Sequence, residues 1–227
     1  MHNQHCRHIS AISPTAPKHL FALLNSGTDA FASSVSARGR MKPDRDCFVL
    51  VPSSSSSSNH QTSLKTLLFP LRPSKGACNV YGSVHGGALW SFSDIASTLH
   101  LSLFLNFSKT KESEELFYKF KMTNASCRYH NGVAQDSPLV CVSTIVSFPS
   151  SSLDDKNGSA HFYVDLVPEK YTPLKFDADN DEWKIRSEEG EEEESHVVSD
   201  LSKNSMQSSS YLSPDSTFTR ATFTKVW

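Results

Sequence analysis

The residues best placed to do chemistry lie between Asn79 and Asp94. Two adjacent glycines, Gly86 and Gly87, follow His85 at the start of a region with helical periodicity. The first N–H groups of a helix have no partner inside the helix, and the helix dipole adds partial positive charge there. Because glycine has no side chain, a substrate can approach this backbone closely. The sequence therefore predicts a place that binds an oxygen developing negative charge.

Asp94 is the acidic residue of this segment, and it comes seven residues after Gly87, which places it about two turns further along the same helix face. Its neighbours Phe92, Ile95 and Ala96 are apolar. A carboxylate buried without a charge partner favours its protonated form near neutral pH, which suits a group that takes a proton from water. Two alternatives stay open: the carboxylate faces solvent, or it pairs with a lysine.

Other patterns for catalysis in this segment are weaker. His85 is either a structural histidine bonded to the backbone or a group that acts on the substrate. Ser91 and Ser93 lie nearby, but no G-x-S-x-G elbow follows a strand, which disfavours a serine nucleophile. No cluster of residues with metal-ligand spacing is evident, so we expect neither a metal nor another cofactor.

The elements that must position these residues follow from hydrophobic periodicity. Apolar residues from His85 to about Leu105 recur at spacings of three and four, which predicts one long helix. A shorter helix is predicted after Pro17. Strand-like runs occupy residues 47–51, 64–71, 116–128, 139–148, 160–167 and 218–227. The prediction is an α+β fold in which an antiparallel sheet of about six strands wraps the long central helix.

The sequence predicts one domain together with segments that are disordered. Residues 1–17 are predicted to be a disordered N-terminus, and 18–227 form the domain. The segment at about 177–215 is rich in serine and contains EEGEEEE, so we expect a disordered insertion, with an acidic partner-binding segment as the alternative. The serine tract 53–58 is predicted to be a flexible loop.

Composition excludes some classes of function and suggests a compartment. The 227 residues carry a net charge of -2, which argues against a protein that coats nucleic acid. Five cysteines without a CxxC pair indicate free thiols in a reducing compartment. No apolar run is long enough for a transmembrane helix, so stable membrane insertion is not expected. The start of the chain weakly resembles a transit peptide, and we expect a cytoplasmic or mitochondrial protein.

The pattern N-x-x-G-x-x-H-G-G-x(6)-D resembles the signature of hotdog-fold thioesterases of the phenylacetyl-CoA thioesterase and acyl-coenzyme A thioesterase 13 type. The residues in register are Asn79, Gly82, His85, Gly86, Gly87 and Asp94. The resemblance covers roughly residues 18–176 and 216–227. The acidic insertion and the serine tract depart from the family pattern, and they lengthen loops without disturbing the motif.

The resemblance implies hydrolysis of acyl-CoA thioesters to free acid and CoA. The Gly86 N–H and the Asn79 side chain would polarise the thioester carbonyl. Asp94, reaching in from the partner subunit, would activate the attacking water. A serine or threonine on the strand after the helix would assist, and the nearest match is Thr123, with Ser126 as the alternative.

Further expectations concern the substrate and partners. His85 and Gly87 would contact the substrate, and the sites would lie at the interface of a homodimer or homotetramer that works in lipid metabolism. Side chains that could meet the phosphates of CoA, or else be ordinary surface charges, are Lys119, Lys121, Arg128 and Lys225. The competing hypothesis is a non-catalytic acyl-CoA-binding or scaffold protein. A hydratase is disfavoured because the Asp-x(4)-His pattern is missing.

Overall fold

A computed structural model describes residues 9–11, 48–50, 66–73, 75–106, 121–147, 158–186 and 216–226. In order, the strands and the long helix are β1 Ile9–Ala11, β2 Phe48–Leu50, β3 Thr66–Leu71, α1 Gly86–Asn106, β4 Lys121–Tyr129, β5 Leu139–Ser147, β6 Ser159–Pro168, β7 Leu174–Asp177, β8 Glu182–Ile185 and β9 Thr219–Val226. Two 3-10 turns span Lys75–Ala77 and Glu169–Tyr171.

Seven of these strands form one antiparallel sheet in the order β1-β2-β3-β5-β6-β9-β4. All six strands expected from the sequence are present, and the α+β architecture is confirmed. The seventh strand, β1, lies in the segment expected to be disordered and pairs with β2. Within the described residues, β4 is an edge of this sheet.

The long helix α1 packs on the sheet through a continuous apolar face. Phe92, Ala96 and Leu99 are buried in the same cluster as Phe162 of β6 and Phe223 of β9. This matches the spacing of three and four that predicted the helix, because such residues share one face.

One buried polar contact also joins α1 to the sheet. The buried His100 ring lies 2.9 Å from the hydroxyl of Ser143 on β5. Since both groups are buried, their hydrogen bond fixes α1 against β5 at that point.

The burial pattern of strand β9 shows that the two faces of the sheet differ in exposure. Its residues alternate between buried and half-buried along the whole strand, as expected when one face packs on a helix. Thr219, Ala221 and Phe223 are buried on one face, and Lys225 follows in the same alternation. The sequence thus places a lysine at an inward position.

The prediction of a disordered insertion is wrong for its first residues, 177–186. Residues 177–186 belong to a β-hairpin, β7–β8, in which the rings of Phe176 and Trp183 meet at 5.4 Å. Arg72 stacks over Phe176 at 4.4 Å and bonds Asp181 at 3.3 Å. These two large aromatic side chains supply enough apolar surface to order a highly charged stretch. Residues 187–215 lie outside the described part of the chain.

Several other predictions also fall outside the described residues, namely the helix after Pro17, the serine tract 53–58 and the start of the third strand run, 116–120. Among the helices that the structure describes, none combines the length and apolarity needed to cross a membrane.

Candidate functional site

The loop before α1 is organised by Asn79. Its side-chain oxygen accepts hydrogen bonds from the N–H groups of Tyr81, at 2.9 Å, and Ser83, at 3.1 Å. Gly82 sits between them with a φ of 78°, a left-handed conformation that favours glycine. The amide oxygen of Asn79 therefore folds the turn, and its NH₂ is the part of the group that can donate to a ligand.

His85 caps the start of α1. Its carbonyl accepts from Ala88 and Leu89, and its ring Nδ1 accepts from the Gly87 N–H at 3.0 Å. This is the structural role that the sequence left open for His85. It also means that the Gly87 N–H points at the His85 ring. In the described part of the chain, no acceptor meets the Gly86 N–H.

Tyr129, at the end of β4, covers the helix start, and the sequence analysis did not find it. Its hydroxyl donates to the Gly86 carbonyl at 3.0 Å. A Cβ added to Gly86 would lie 3.0 Å from the Tyr129 ring, and one added to Gly87 would lie 3.0 Å from the His85 ring. Burial, with a further contribution from Cys127, raises the pKa of Tyr129 to about 12, so the phenol stays a neutral donor. A side chain at either glycine would therefore make a tight contact, and the neighbouring ring would have to shift by a few tenths of an ångström.

A cavity of about 290 Å³ opens beside this helix start. Residues that line it include Val84, Gly86, Leu89, Tyr129, Asn131 and Val133. Its wall is mainly apolar, and the Gly86 backbone is part of it. A small acyl group and its carbonyl are the kind of chemistry that such a lining can hold.

Asp94 lies in the middle of α1 with 31% of its side chain exposed. One carboxylate oxygen, Oδ1, accepts from the ammonium of Lys225 on β9. The expectation of a carboxylate without a charge partner is therefore wrong, and the lysine pairing is what the structure has. Lys225 itself is only 4% exposed along its side chain, so the expectation that it meets phosphates or solvent is also wrong.

The two candidates for the assisting hydroxyl lie in different surroundings. Thr123 occupies a bulge between Met122 and Asn124, and its hydroxyl bonds the Thr224 carbonyl at 3.4 Å. Ser126 instead bonds the hydroxyl of Thr222 at 2.7 Å. A bulge re-aims its side chain, which is common beside functional sites.

The register of β4 against β9 places these two hydroxyls at different positions relative to the Asp94–Lys225 pair. Met122 pairs with Lys225, so the bulge at Thr123 lies at the same end of β4 as the Asp94–Lys225 pair. Ser126 lies further along the strand, opposite Thr222. Thr123 is therefore the better placed of the two.

Strand β4 thus runs between two separate groups of polar atoms. Tyr129 at its end contacts Gly86, and Met122 near its start pairs in register with Lys225, which holds Asp94. Gly86 and Asp94 are eight residues apart, about 12 Å along a helix axis. One chain therefore presents two separate candidate half-sites, one at the helix start and one in mid-helix.

Of the other predicted contacts, Lys121 and Arg128 are exposed on β4, and Lys119 lies outside the described residues. A search of the described ranges for three or more metal-ligating side chains in one place finds none.

One long helix lies on one face of a wide antiparallel sheet, with the HGG segment at the helix start and β4 at the sheet edge. The chain has a hotdog fold. This is the fold that the motif resemblance implied.

Comparison with known proteins gives structures but no sequence relatives. The chain matches no protein-family model and no curated protein. It is similar to zebra fish thioesterase superfamily member 2, with 12% identity over 95% of this chain and 98% of that one, at a TM-score of 0.47. It is also similar to a Haemophilus influenzae thioesterase, with 9% identity over 91% and 88% of the two chains, at a TM-score of 0.44.

A third similar structure is a hypothetical thioesterase from Streptococcus pneumoniae with coenzyme A. It has 13% identity over 71% of this chain and 77% of that one, at a TM-score of 0.40.

Proposed function

We propose that this hotdog protein hydrolyses acyl-CoA thioesters at sites shared between two copies of the chain. The observation that carries the proposal is the placement of the two half-sites near opposite ends of the exposed strand β4. Each half-site contains part of what thioester hydrolysis needs. The motif resemblance supports the same reaction.

The first half-site stabilises negative charge. The Gly86 N–H lies at the positive end of α1, beside the cavity, and it can donate to a thioester carbonyl oxygen. The Asn79 amide is the second candidate donor in this loop. In the proposed mechanism His85 acts indirectly, by fixing the helix start through Gly87.

The second half-site activates water. The Asp94 carboxylate is partly exposed and can accept a proton from a water molecule. Thr123 lies at the same end of β4 and is the candidate to orient that water. We place Thr123 ahead of Ser126, because Ser126 bonds Thr222 further along the strand.

The two half-sites of one chain cannot act on one carbonyl group. A reacting atom must lie about 3 Å from both the oxyanion donor and the attacking water, whereas Gly86 and Asp94 of one chain are about 12 Å apart along the helix. A second copy removes this problem, since it can present its own Asp94 to the first copy's Gly86.

Strand β4 offers the geometry for such pairing. It is an edge of the described sheet, and Met122 and Tyr129 on it are 43% and 53% exposed. If two β4 edges pair antiparallel about a two-fold axis, the Tyr129 end of one lies beside the Met122 end of the other. Gly86 of each subunit then approaches Asp94 of the partner subunit. The proposed assembly is a homodimer or a larger assembly built from it.

The reaction then runs in two steps. Water attacks the carbonyl carbon while Asp94 takes its proton, and the carbonyl oxygen becomes an oxyanion that the Gly86 N–H stabilises. The oxyanion collapses, the carbon–sulfur bond breaks, and the thiolate of CoA leaves and takes the proton. The products are a carboxylic acid and CoA. The exposed Lys121 and Arg128 are candidates for the CoA phosphates.

The state of the cysteines supports a proposal for the cellular compartment. Three cysteines in the described residues, Cys78, Cys127 and Cys141, form no disulfide. Free thiols persist in reducing surroundings. We therefore place the activity in the cytoplasm or the mitochondrion.

The test is hydrolysis of acyl-CoAs of increasing chain length by the wild-type protein, Asp94→Asn and Asp177→Asn. Asp177 is the matched control, because it also pairs with a lysine, Lys184, but on the distant β7–β8 hairpin. We expect Asp94→Asn to lose about 10²- to 10⁴-fold in kcat and Asp177→Asn to keep the wild-type rate. Equal rates for wild type and Asp94→Asn would remove Asp94 from the mechanism. Binding of acyl-CoA without hydrolysis would favour the non-catalytic hypothesis.

A further inference from the structure

We infer that Lys225 is a positioning residue for the hydrolysis, holding one oxygen of the Asp94 carboxylate so that the other oxygen faces the attacking water. This inference rests on the proposed function and adds to it a residue from the last strand. The sequence analysis assigned Lys225 only a contact with phosphates or an ordinary surface charge.

The Lys225 ammonium is held by a complete set of acceptors. It donates to Asp94 Oδ1, to the Asp94 backbone carbonyl at 3.2 Å and to the Thr98 hydroxyl at 2.6 Å. An ammonium has three N–H donors, so these three acceptors use them all. Thr98 in turn donates to the Asp94 carbonyl at 3.0 Å. This closed arrangement fixes the rotation of the ammonium and of the carboxylate together.

The carboxylate is bound on one side only. Oδ1 faces Lys225, while in the described part of the chain no donor reaches Oδ2. With 31% of the Asp94 side chain exposed, Oδ2 is the oxygen that water can reach. A carboxylate held in this way presents a single proton-accepting oxygen in one direction, which is the positioning that an attack on a fixed carbonyl requires.

A buried lysine is costly unless an anion compensates it. Burial lowers the pKa of Lys225, and the charge and hydrogen bond of Asp94 oppose this lowering. The residues that pair with Lys225 from the two flanking strands, Met122 on β4 and Ala160 on β6, are uncharged. On its own strand, Phe223 presents its ring 5.5 Å from the ammonium. Among the described residues, Asp94 is the charge that acts on this ammonium, so the two groups depend on each other.

The test compares Lys225→Met, Lys225→Arg and Thr98→Val with Lys184→Met, using hydrolysis of an acyl-CoA that the wild type turns over. Lys184 is the matched control, since it pairs with an aspartate on the exposed hairpin. Lys225→Met should lower kcat at least about 10-fold with little change in KM, because the water-activating oxygen loses its fixed direction.

The other variants distinguish the effect of the charge at position 225 from the effect of the side chain's shape. Unfolding measurements show whether a loss of activity is due to misfolding. Lys225→Arg keeps the charge, so it should retain more of the wild-type kcat than Lys225→Met does, although its planar, forked head still lowers kcat. Thr98→Val removes one acceptor at nearly constant volume and should lower kcat less than Lys225→Met does. Thermal unfolding of each variant reports how much of it is folded. Lys184→Met should behave like the wild type in every assay.

The outcomes distinguish this inference from the function on which it rests. If the wild type hydrolyses acyl-CoA and Asp94→Asn does not, the function stands. If Lys225→Met then shows the wild-type kcat, or a lower rate that is explained by a higher KM or by a smaller folded fraction, the positioning role is overturned. If the wild type hydrolyses no acyl-CoA, both the proposed function and the positioning role are contradicted.

Discussion

The Tyr129 hydroxyl donates a hydrogen bond to the Gly86 carbonyl, and the edge of its ring lies where a Gly86 side chain would begin. This hydrogen bond joins the end of the edge strand to the backbone that presents the proposed oxyanion donor. Any change that moves this ring should also move the Gly86 N–H.

Replacing Gly86 with alanine should disturb the site by steric overlap. The new Cβ would lie 3.0 Å from the Tyr129 ring, so the ring or the helix start must shift. We expect a loss of about 1–3 kcal/mol in stability and at least about a 10-fold loss of kcat/KM. Gly132→Ala is the control for stability, since its Cβ would meet Ser83 Oγ at an ordinary 3.7 Å, although Gly132 also lines the cavity. Urea unfolding and steady-state kinetics measure both effects, and equal behaviour of the two variants would contradict the prediction.

Replacing Tyr129 with phenylalanine should keep the ring and remove the hydrogen bond to Gly86. We expect a cost of about 0.5–1.5 kcal/mol in stability and a fall of kcat/KM smaller than that of Gly86→Ala. Urea unfolding at neutral pH checks the first effect. A variant as stable as the wild type would show that the hydrogen bond contributes nothing.

The same tyrosine predicts a pH dependence at the alkaline end. The pKa of Tyr129 is raised to about 12 in the folded protein, above the ordinary value of about 10. A raised pKa contributes stability that is fully present below about pH 10 and is lost as pH climbs towards 12. Ultraviolet titration of phenolate formation should therefore show one late-titrating tyrosine that Tyr129→Phe lacks. Titration of all tyrosines near pH 10 would be inconsistent with this environment.

Replacing His85 should lower the stability of the helix start, and any effect on the rate of hydrolysis should follow from that loss. His85→Ala removes the acceptor of the Gly87 N–H and should cost about 0.5–2 kcal/mol, as the loss of a helix cap does. His85→Asn supplies another capping acceptor and should recover most of that stability. Thermal unfolding checks the order of the two variants. If His85→Ala abolishes hydrolysis at unchanged stability, the histidine has a direct chemical role instead.

The sequence predicted the elements better than it predicted the contacts between them. The helix and the six expected strands followed from local periodicity, and Gly86 and Asp94 followed from a local motif. The pair Asp94–Lys225 joins residues 131 positions apart, and only the pairing of β9 in the sheet brings them together. One signal was available, because the alternation in β9 puts Lys225 on the inward face, where a lysine requires an anion.

Tyr129 was missed for a related reason. It stands at the end of a strand whose neighbours are polar, so nothing in the local pattern distinguishes it from a surface aromatic residue. Its role depends on the turn after β4 passing close to the start of α1. The β7–β8 hairpin was missed for a different reason. The segment around Phe176 and Trp183 contains many charged residues, and its composition alone therefore predicted disorder.

The shared site is tested most directly by mixing two inactive variants, Asp94→Asn and Gly86→Val, under conditions in which subunits exchange. Each variant alone should be nearly inactive. In a random mixture of dimers, half are mixed and each mixed dimer has one intact site of two, so about one quarter of the wild-type activity should return. Recovery of this size would confirm that Gly86 of one subunit works with Asp94 of the partner subunit. Absence of recovery, in a mixture shown to contain mixed dimers, would contradict the account.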